Sequence, residues 1–393
     1  SLGRRTRFFC CGTAITQDLI VDSINFTTFN AEFNQIDTVV RWVEIANYNG
    51  KTINFDSWAT CENSLVAKSG VTCFGTQNSC VMAGGYDGSA VDTSEIYNGF
   101  SWSAGDTLSD TRQHASSAGI KNAGLIFGGY KASAVDVVET FNGTAFTTSG
   151  HTLFTAKFYP AGAGTLYSAI CIGGATNGTT EVAVTEFWNG HTFSAVSGGA
   201  LALIKSGLSG CGTAGSAVSF GGYKTGVGVS ATTEKFNSFV WILSGSMNTA
   251  RDWMAGCGTQ NYALSIGGDT TGQVFPTPSD IVEKFNISTW SVATSLPVAT
   301  YILGGCGTQN LALTVCGYDT GGDSQATYKF YGDVPFKIEA VIKGSSDMLD
   351  ATSYNGNLNI TTFNEACVSQ FDFVADENSG ISSEERRDIV ALD

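Results

Sequence analysis

The chain has 393 residues, 48 of them glycine and only 5 proline, with aromatics at 11% and charged residues at 14%; this suits many short strands joined by glycine turns rather than disorder. Its net charge of −15 argues against a general nucleic-acid phosphate binder and against a polybasic membrane-surface protein. No run of about 18 apolar residues occurs, so no membrane-spanning helix is expected.

In chain order, the first segment reads "CCGTAITQDLIVD" (10–22), then "INFTTFNAEFNQIDTVVRW" (24–42), then "VEIANYNGKTINFDSW" (43–58). From there a pattern repeats. A GT element ("CFGTQN" 73–78, "GCGTAG" 210–215, "GCGTQN" 256–261 and again 305–310) is followed by a short apolar strand. That strand ends in "AGGY" 83–86, "FGGY" 127–130, "IGGA" 172–175, "FGGY" 220–223, "IGGD" 266–269 or "VCGY" 315–318. A third strand carries an acid and an aromatic before a turn: "SEIYNG", "VETFNG", "TEFWNG", "TEKFNS", "VEKFNI". Asparagine–glycine steps suit turns that need positive φ. An aromatic then opens a fourth strand: Trp58, Trp102, Phe146, Phe193, Trp241, Trp290 and Phe336, spaced 44 to 49 residues apart.

Four strands per repeat at this period predict propeller blades, and counting the fourth-strand aromatics gives seven. The reading is therefore an all-β, seven-bladed propeller over 1–345, with blades at about 5–67, 68–111, 112–156, 157–204, 205–250, 251–299 and 300–345, and a C-terminal extension at 346–393. Blade one carries the insertion 24–42, and blade seven comes wholly from the C-terminal side, so no strand is exchanged between the ends.

The basic residue before each first strand (Arg5, Lys68, Arg112, Lys157, Lys205, Arg251) and the acid of each third strand (Glu44, Glu95, Glu139, Glu186, Glu234, Glu283) vanish together in the last repeat, which has Thr300 and Tyr328. Joint loss is what a buried ion pair predicts, because removing one partner costs about 3–5 kcal/mol while losing both can be nearly neutral. These residues are read as structural pairs and not as an anion-binding ring.

Little catalytic chemistry is legible. The three histidines, His114, His151 and His191, fall at unrelated depths, so no catalytic residue, cofactor site or metal site is assigned. Eleven cysteines, an odd number, exclude complete intramolecular pairing and offer no CxxC spacing. Those preceding GT are read as small buried residues.

The basic residue, double glycine, E-x-[YF]-N-G and following tryptophan resemble the Kelch family over roughly 5–343. More narrowly, "GCGTQNYALSIGG", "EKFNISTW" and "MNTAR" are similar to Kelch-type repeats of phage tails and fibres, particularly of marine phages. That resemblance implies a non-enzymatic component of a virus particle: a tail, fibre or surface-decoration protein used in assembly or in recognising a host-surface glycan or protein. The expected location is the virion. Expected partners are other virion proteins or a host-surface molecule, with no nucleic acid, no membrane insertion, no cofactor and an oligomeric state set by the assembly. The alternative is an extracellular or cell-surface carbohydrate-active or galactose-oxidase-like propeller enzyme. Recognition or assembly is placed where the repeat is broken: Phe26, Phe29 and Phe33 of the first insertion, Phe275 in the blade-six loop 272–280, and Phe363 and Phe371 of the extension, whose "LNITTFNEACVSQF" echoes the insertion. Loops on a rigid scaffold are the usual seat of recognition.

Overall fold

The structure, a computed structural model, describes residues 40–42, 56–178, 180–272, 276–332 and 339–341. Two compact units divide the chain: one is Asp56–Gly332, the other is drawn from both flanks, Ser1–Phe55 and Asp333–Asp393. In the flanking unit, Val40–Trp42 pairs antiparallel with Glu339–Val341, Val40 opposite Val341 and Trp42 opposite Glu339.

Asp56–Gly332 holds six four-stranded antiparallel sheets. Blade A comprises Thr72–Thr76, Ser79–Ala83, Ser94–Tyr97 and Trp102–Ala104; blade B, Ser116–Ile120, Ala123–Phe127, Val137–Phe141 and Phe146–Thr152. Blade C is Ala161–Thr165, Ser168–Ile172, Thr185–Trp188 and Phe193–Ala195; blade D, Ser209–Thr213, Ser216–Phe220, Thr233–Phe236 and Trp241–Ser244. Blade E is Ala255–Gly258, Ala263–Ile266, Val282–Asn286 and Thr289–Val292. Blade F takes Gly304–Gly307, Leu311–Val315 and Thr327–Tyr331 from its own repeat and Ser57–Thr60, from the other end of the unit, as its outer strand. Six buried clusters fill the six interfaces, from A–B (Phe74, Val81, Ile126, Phe141) round to the closing A–F contact (Cys80, Met82, Tyr97, Cys306, Leu313). A ring of face-to-face sheets with its core between them is a β-propeller.

The structure therefore corrects the count to six blades. Trp58 is not the end of a first blade but the fourth-strand aromatic of the last, with its ring 4.9 Å from Phe330. Each blade has one such contact, as in Phe236–Trp241 at 5.0 Å and Phe285–Trp290 at 5.1 Å. The count of seven took both Trp58 and Phe336; Phe336 lies outside the described residues, and the outer strand of the last blade is the one that carries Trp58. A last blade wholly within 300–345 is overturned, because the ring closes by pairing Ser57–Thr60 with Thr327–Tyr331, Trp58 opposite Phe330; that strand is thereby withdrawn from the blade expected at 5–67, of which 5–39 and 43–55 lie outside the described residues. That exchange covers the edge of Thr327–Tyr331 and joins the two ends of the unit through a strand ladder.

Local sequence explains the blade ends. In blades A to E the first glycine of each pair sits near φ +60°, as Gly84 does at +64°. A Cβ there would lie 2.5 Å from the Arg112 carbonyl, so both conformation and space demand glycine. The second glycine donates to that same carbonyl of the next joint: Gly85 to Arg112 at 2.9 Å, and so on round to Gly317 and Lys68 at 2.8 Å. In the repeat turns the asparagine side chain caps two amides, as Asn98 Oδ1 does for Phe100 and Ser101.

The twice-written GCGTQN acquires a physical reason. Gln260 Nε2 reaches back to blade D, donating to the carbonyls of Ala217 and Phe236; Gln309 does so to Ala263 and Phe285 of blade E, and Gln77 to Ala312 and Phe330 of blade F. The cysteine reaches forward: Cys211, Cys257 and Cys306 each point Sγ at the carbonyl of the next blade's threonine, Thr259, Thr308 and Thr76, at 3.7, 3.5 and 3.4 Å. One hexapeptide thus ties its blade to both neighbours. The eight described cysteines are all unbridged thiols, and burial pushes Cys211 and Cys257 well above the usual thiol range.

Candidate functional site

The cation before each first strand lies in the joint between blades. Its backbone is held by the preceding blade, as Arg112 N–H is by Val91, while its side chain crosses to the glutamate of the following blade. The structure brings together Lys68 with Glu95 (3.0 Å), Arg112 with Glu139, Lys157 with Glu186 (2.8 Å), Lys205 with Glu234 (3.4 Å) and Arg251 with Glu283 (3.0 Å), every one of these side chains at most 3% exposed. Burial holds Arg112, Lys205 and Arg251 below their ordinary ranges, against the pull of their glutamates. The sixth pair expected from sequence, Arg5 with Glu44, lies outside the described residues.

The second carboxylate oxygen has its own partner. In blades A to E it accepts the N–H three residues before the cation: Leu65, Ser109, Phe154, Ala202 and Asn248, at 2.6 to 2.9 Å. Blade F has neither cation nor carboxylate, and at the corresponding position stands Pro297, which has no N–H to satisfy. All three members of the unit are replaced together.

Two residues past each cation, and past Thr300 in blade F, the chain turns inward to the axis. Gly70, His114, Tyr159, Gly207, Trp253 and Ile302 all have positive φ, between 46° and 61°. They form a closed circle of backbone hydrogen bonds: His114 N–H to Gly70 O, Tyr159 to His114, Gly207 to Tyr159, Trp253 to Gly207, Ile302 to Trp253 and Gly70 to Ile302, at 2.8 to 3.1 Å. The axial cavity lies against this circle and is lined by the starts of the first strands, including Cys73, Ser117, Ser209 and Met254. His114 packs on Tyr159 with ring centroids 4.1 Å apart and its Nε2 3.0 Å from the phenol oxygen. Burial pushes His114 down to about 3, so it is a neutral packed imidazole at physiological pH. His151 and His191 are exposed, far along the sequence from this circle.

One joint departs from the rest. The residue after the cation pairs with the residue after the glycines: Ser69 with Tyr86, Gln113 with Tyr130, Phe158 with Ala175, Ser206 with Tyr223, Tyr301 with Tyr318, and in blade E Asp252 with Asp269. Both aspartates are fully buried. Burial, and then the neighbouring Asp269, push Asp252 up to about 8. Neither aspartate was singled out from sequence; aligning the residue after the cation with the residue after the glycines exposes the like-charge pair. No grouping of three or more His, Cys, Asp and Glu suited to a metal occurs among the described residues.

At the opposite face, the turn between first and second strands meets the turn between third and fourth, as where Ser238 Oγ donates to Gly215 O and Ile287 N–H to Asn261 O. This face exposes Phe100, Tyr167, Phe239 and Tyr262, with Tyr167 and Phe239 each 71% accessible. A cavity between blades D and E, lined by Thr213, Ser216, Thr259, Gln260 and Asn261, opens among these turns. The recognition residues expected from sequence, Phe26, Phe29, Phe33, Phe275, Phe363 and Phe371, lie outside the described residues.

Among the described residues, Asp56–Gly332 forms a six-bladed β-propeller. Comparison with protein-family models and with curated proteins finds no match.

Proposed function

We propose that the protein is a non-enzymatic binding component of a virus particle, a Kelch-type propeller of a phage tail, fibre or surface decoration that recognises a host-surface glycan. The virion assignment rests on the likeness of "GCGTQNYALSIGG", "EKFNISTW" and "MNTAR" to repeats of such proteins. The observation that carries the binding role is the exposed aromatic set Phe100, Tyr167, Phe239 and Tyr262 on the turn face. Exposed aromatic rings beside hydroxyl and amide groups give a sugar an apolar surface and hydrogen-bonding partners at once. The interior ion pairs are engaged in joining blades, which leaves recognition to surface turns.

Binding of the full chain to host-surface polysaccharide, compared with a variant carrying alanine at those four positions, tests the reading. Affinity should fall at least tenfold while the melting temperature stays unchanged. Equal binding by the variant removes the turn face from the account. Hydrolysis of the polysaccharide or stoichiometric copper in the purified protein would favour a carbohydrate-active or oxidase propeller.

A further inference from the structure

The buried Asp252–Asp269 pair has no structural counterpart in the other joints. Each residue donates its N–H to the other's carbonyl, at 3.0 and 2.8 Å, which makes them directly opposed members of a hydrogen-bonded antiparallel bridge. Side chains so opposed stand on one side, with Cβ atoms about 5.5 Å apart. Two ionised carboxylates at that separation in a buried joint repel strongly unless a cation lies between them or one of them holds a proton.

The hydrogen-bond partners show which oxygens are available. Asp269 Oδ1 is taken by the N–H and Oγ1 of Thr271 and the N–H of Thr277 (3.1, 2.9 and 2.7 Å). Independently of the pairing, both oxygens of the fully buried Asp252 carboxyl, together with Asp269 Oδ2, have no hydrogen-bond partner. The adjacent cation, Arg251, is committed to Glu283, Ser265 and the carbonyls of Gly267 and Ile281. The Asp252 Cβ lies 3.5 Å from where a Cβ on Gly207 would stand, and the Trp253 indole Cδ1 lies 2.9 Å from the same point. Trp253 in turn lies between Tyr159 and Tyr301, at 5.5 and 5.8 Å between ring centroids. Three buried carboxylate oxygens of one residue pair thus lack a partner, next to the packed rings of Tyr159, Trp253 and Tyr301.

We infer that Asp252 and Asp269 bind one hard divalent cation of the calcium class at the joint between blades D and E. All free donors are oxygen, which excludes the soft metals that prefer sulfur. Calcium accepts irregular sets of six to eight oxygens and takes the remainder of its shell from water, whereas magnesium demands a regular octahedron. The site ties the strand entering blade E to the loop after its glycine pair, beside the axial circle, so its occupancy should be read out in the stability of the ring.

The test uses the full chain after chelator treatment. Saturating Ca2+ should raise the melting temperature by roughly 3 °C or more, since a ligand that binds only the native state stabilises it by mass action. Tb3+, a calcium surrogate, should bind with one equivalent and luminesce on excitation of the indole, and Ca2+ should displace it. Asp252→Asn and Asp269→Asn, both isosteric, should each abolish the Ca2+ shift and the emission. Trp253→Phe should weaken the emission and leave the Ca2+ shift in place. Identical melting with Ca2+ and chelator in the wild type overturns the proposal, as does a Ca2+ response that survives Asp252→Asn. An Asp252→Asn variant that is more stable than a wild type indifferent to Ca2+ would show that the pair holds a proton instead, and also overturns it.

Discussion

Replacing Arg112 with methionine leaves Glu139 alone in a site where both side chains are 1% exposed. The carboxylate keeps only the Ser109 N–H, at 2.9 Å. Loss of one partner of such a pair costs about 3–5 kcal/mol, equivalent to roughly 6–20 °C in melting temperature for a unit of this size. Adding Glu139→Leu removes the stranded charge and should recover most of that loss. It cannot recover all of it, because the inward Ser109 N–H then lacks its acceptor, a deficit of about 1–3 kcal/mol. Blade F, with Thr300, Tyr328 and Pro297, indicates the missing change. A triple variant with Ser109→Pro should therefore be more stable than the double. Urea denaturation monitored by tryptophan fluorescence gives the order, expected as wild type, triple, double, single, at constant m-value. A single variant within about 1 kcal/mol of wild type would refute the pairing argument. So would a double variant no better than the single one. Unchanged stability with loss of binding to an anionic ligand would return the cations to a functional role.

Further outcomes follow from the same geometry. Gln260→Leu leaves the carbonyls of Ala217 and Phe236 in blade D without their side-chain donor and should lower stability by about 1–3 kcal/mol, measured by urea denaturation; Gln309→Leu should do the same at blade E. His114 takes up its proton near pH 6.5 when unfolded but only at about 3 when folded, so the unfolded state binds more protons between these values. Its contribution to stability is present above pH 6.5 and is lost as pH falls toward 3, with a slope of at most about 1.4 kcal/mol per pH unit; melting curves across that range should be flatter for His114→Phe. Gly70→Ala places a Cβ 2.5 Å from the His114 ring at φ +61°, so it should destabilise; because part of its cost is that clash, the change should cost less in a His114→Ala background than in the wild type, leaving about 1–2 kcal/mol of backbone strain, measured by a double-mutant cycle in urea.

Much of the propeller was legible because the blade interior is written in residues with no substitute. The glycine pairs mark the passage from second to third strand, and Glu95, Glu139, Glu186, Glu234 and Glu283 mark the third. Six such glycine landmarks, counting "VCGY", already stood in the sequence, and they number the blades as the structure has them. The seven fourth-strand aromatics misled because an outer strand carries no label saying which blade it joins: Trp58 follows Asp56 in sequence but pairs across the ring with Phe330. The joint pairs were legible as structural pairs because cation and acid vanish together in the last repeat, though nothing in the spacing shows that Arg112 is held from behind by blade A. Asp252 was missed because an aspartate beside an arginine reads as a solvated neighbour until the bridge to Asp269 is known.

The account rests on a ring of six blades closed by Ser57–Thr60, and an experimental density map viewed down the axis tests it most directly. Six spokes should appear, with Ser57–Thr60 hydrogen-bonded outside Thr327–Tyr331 and Trp58 against Phe330. Seven spokes, or a strand from beyond residue 332 in the place of Ser57–Thr60, would contradict it.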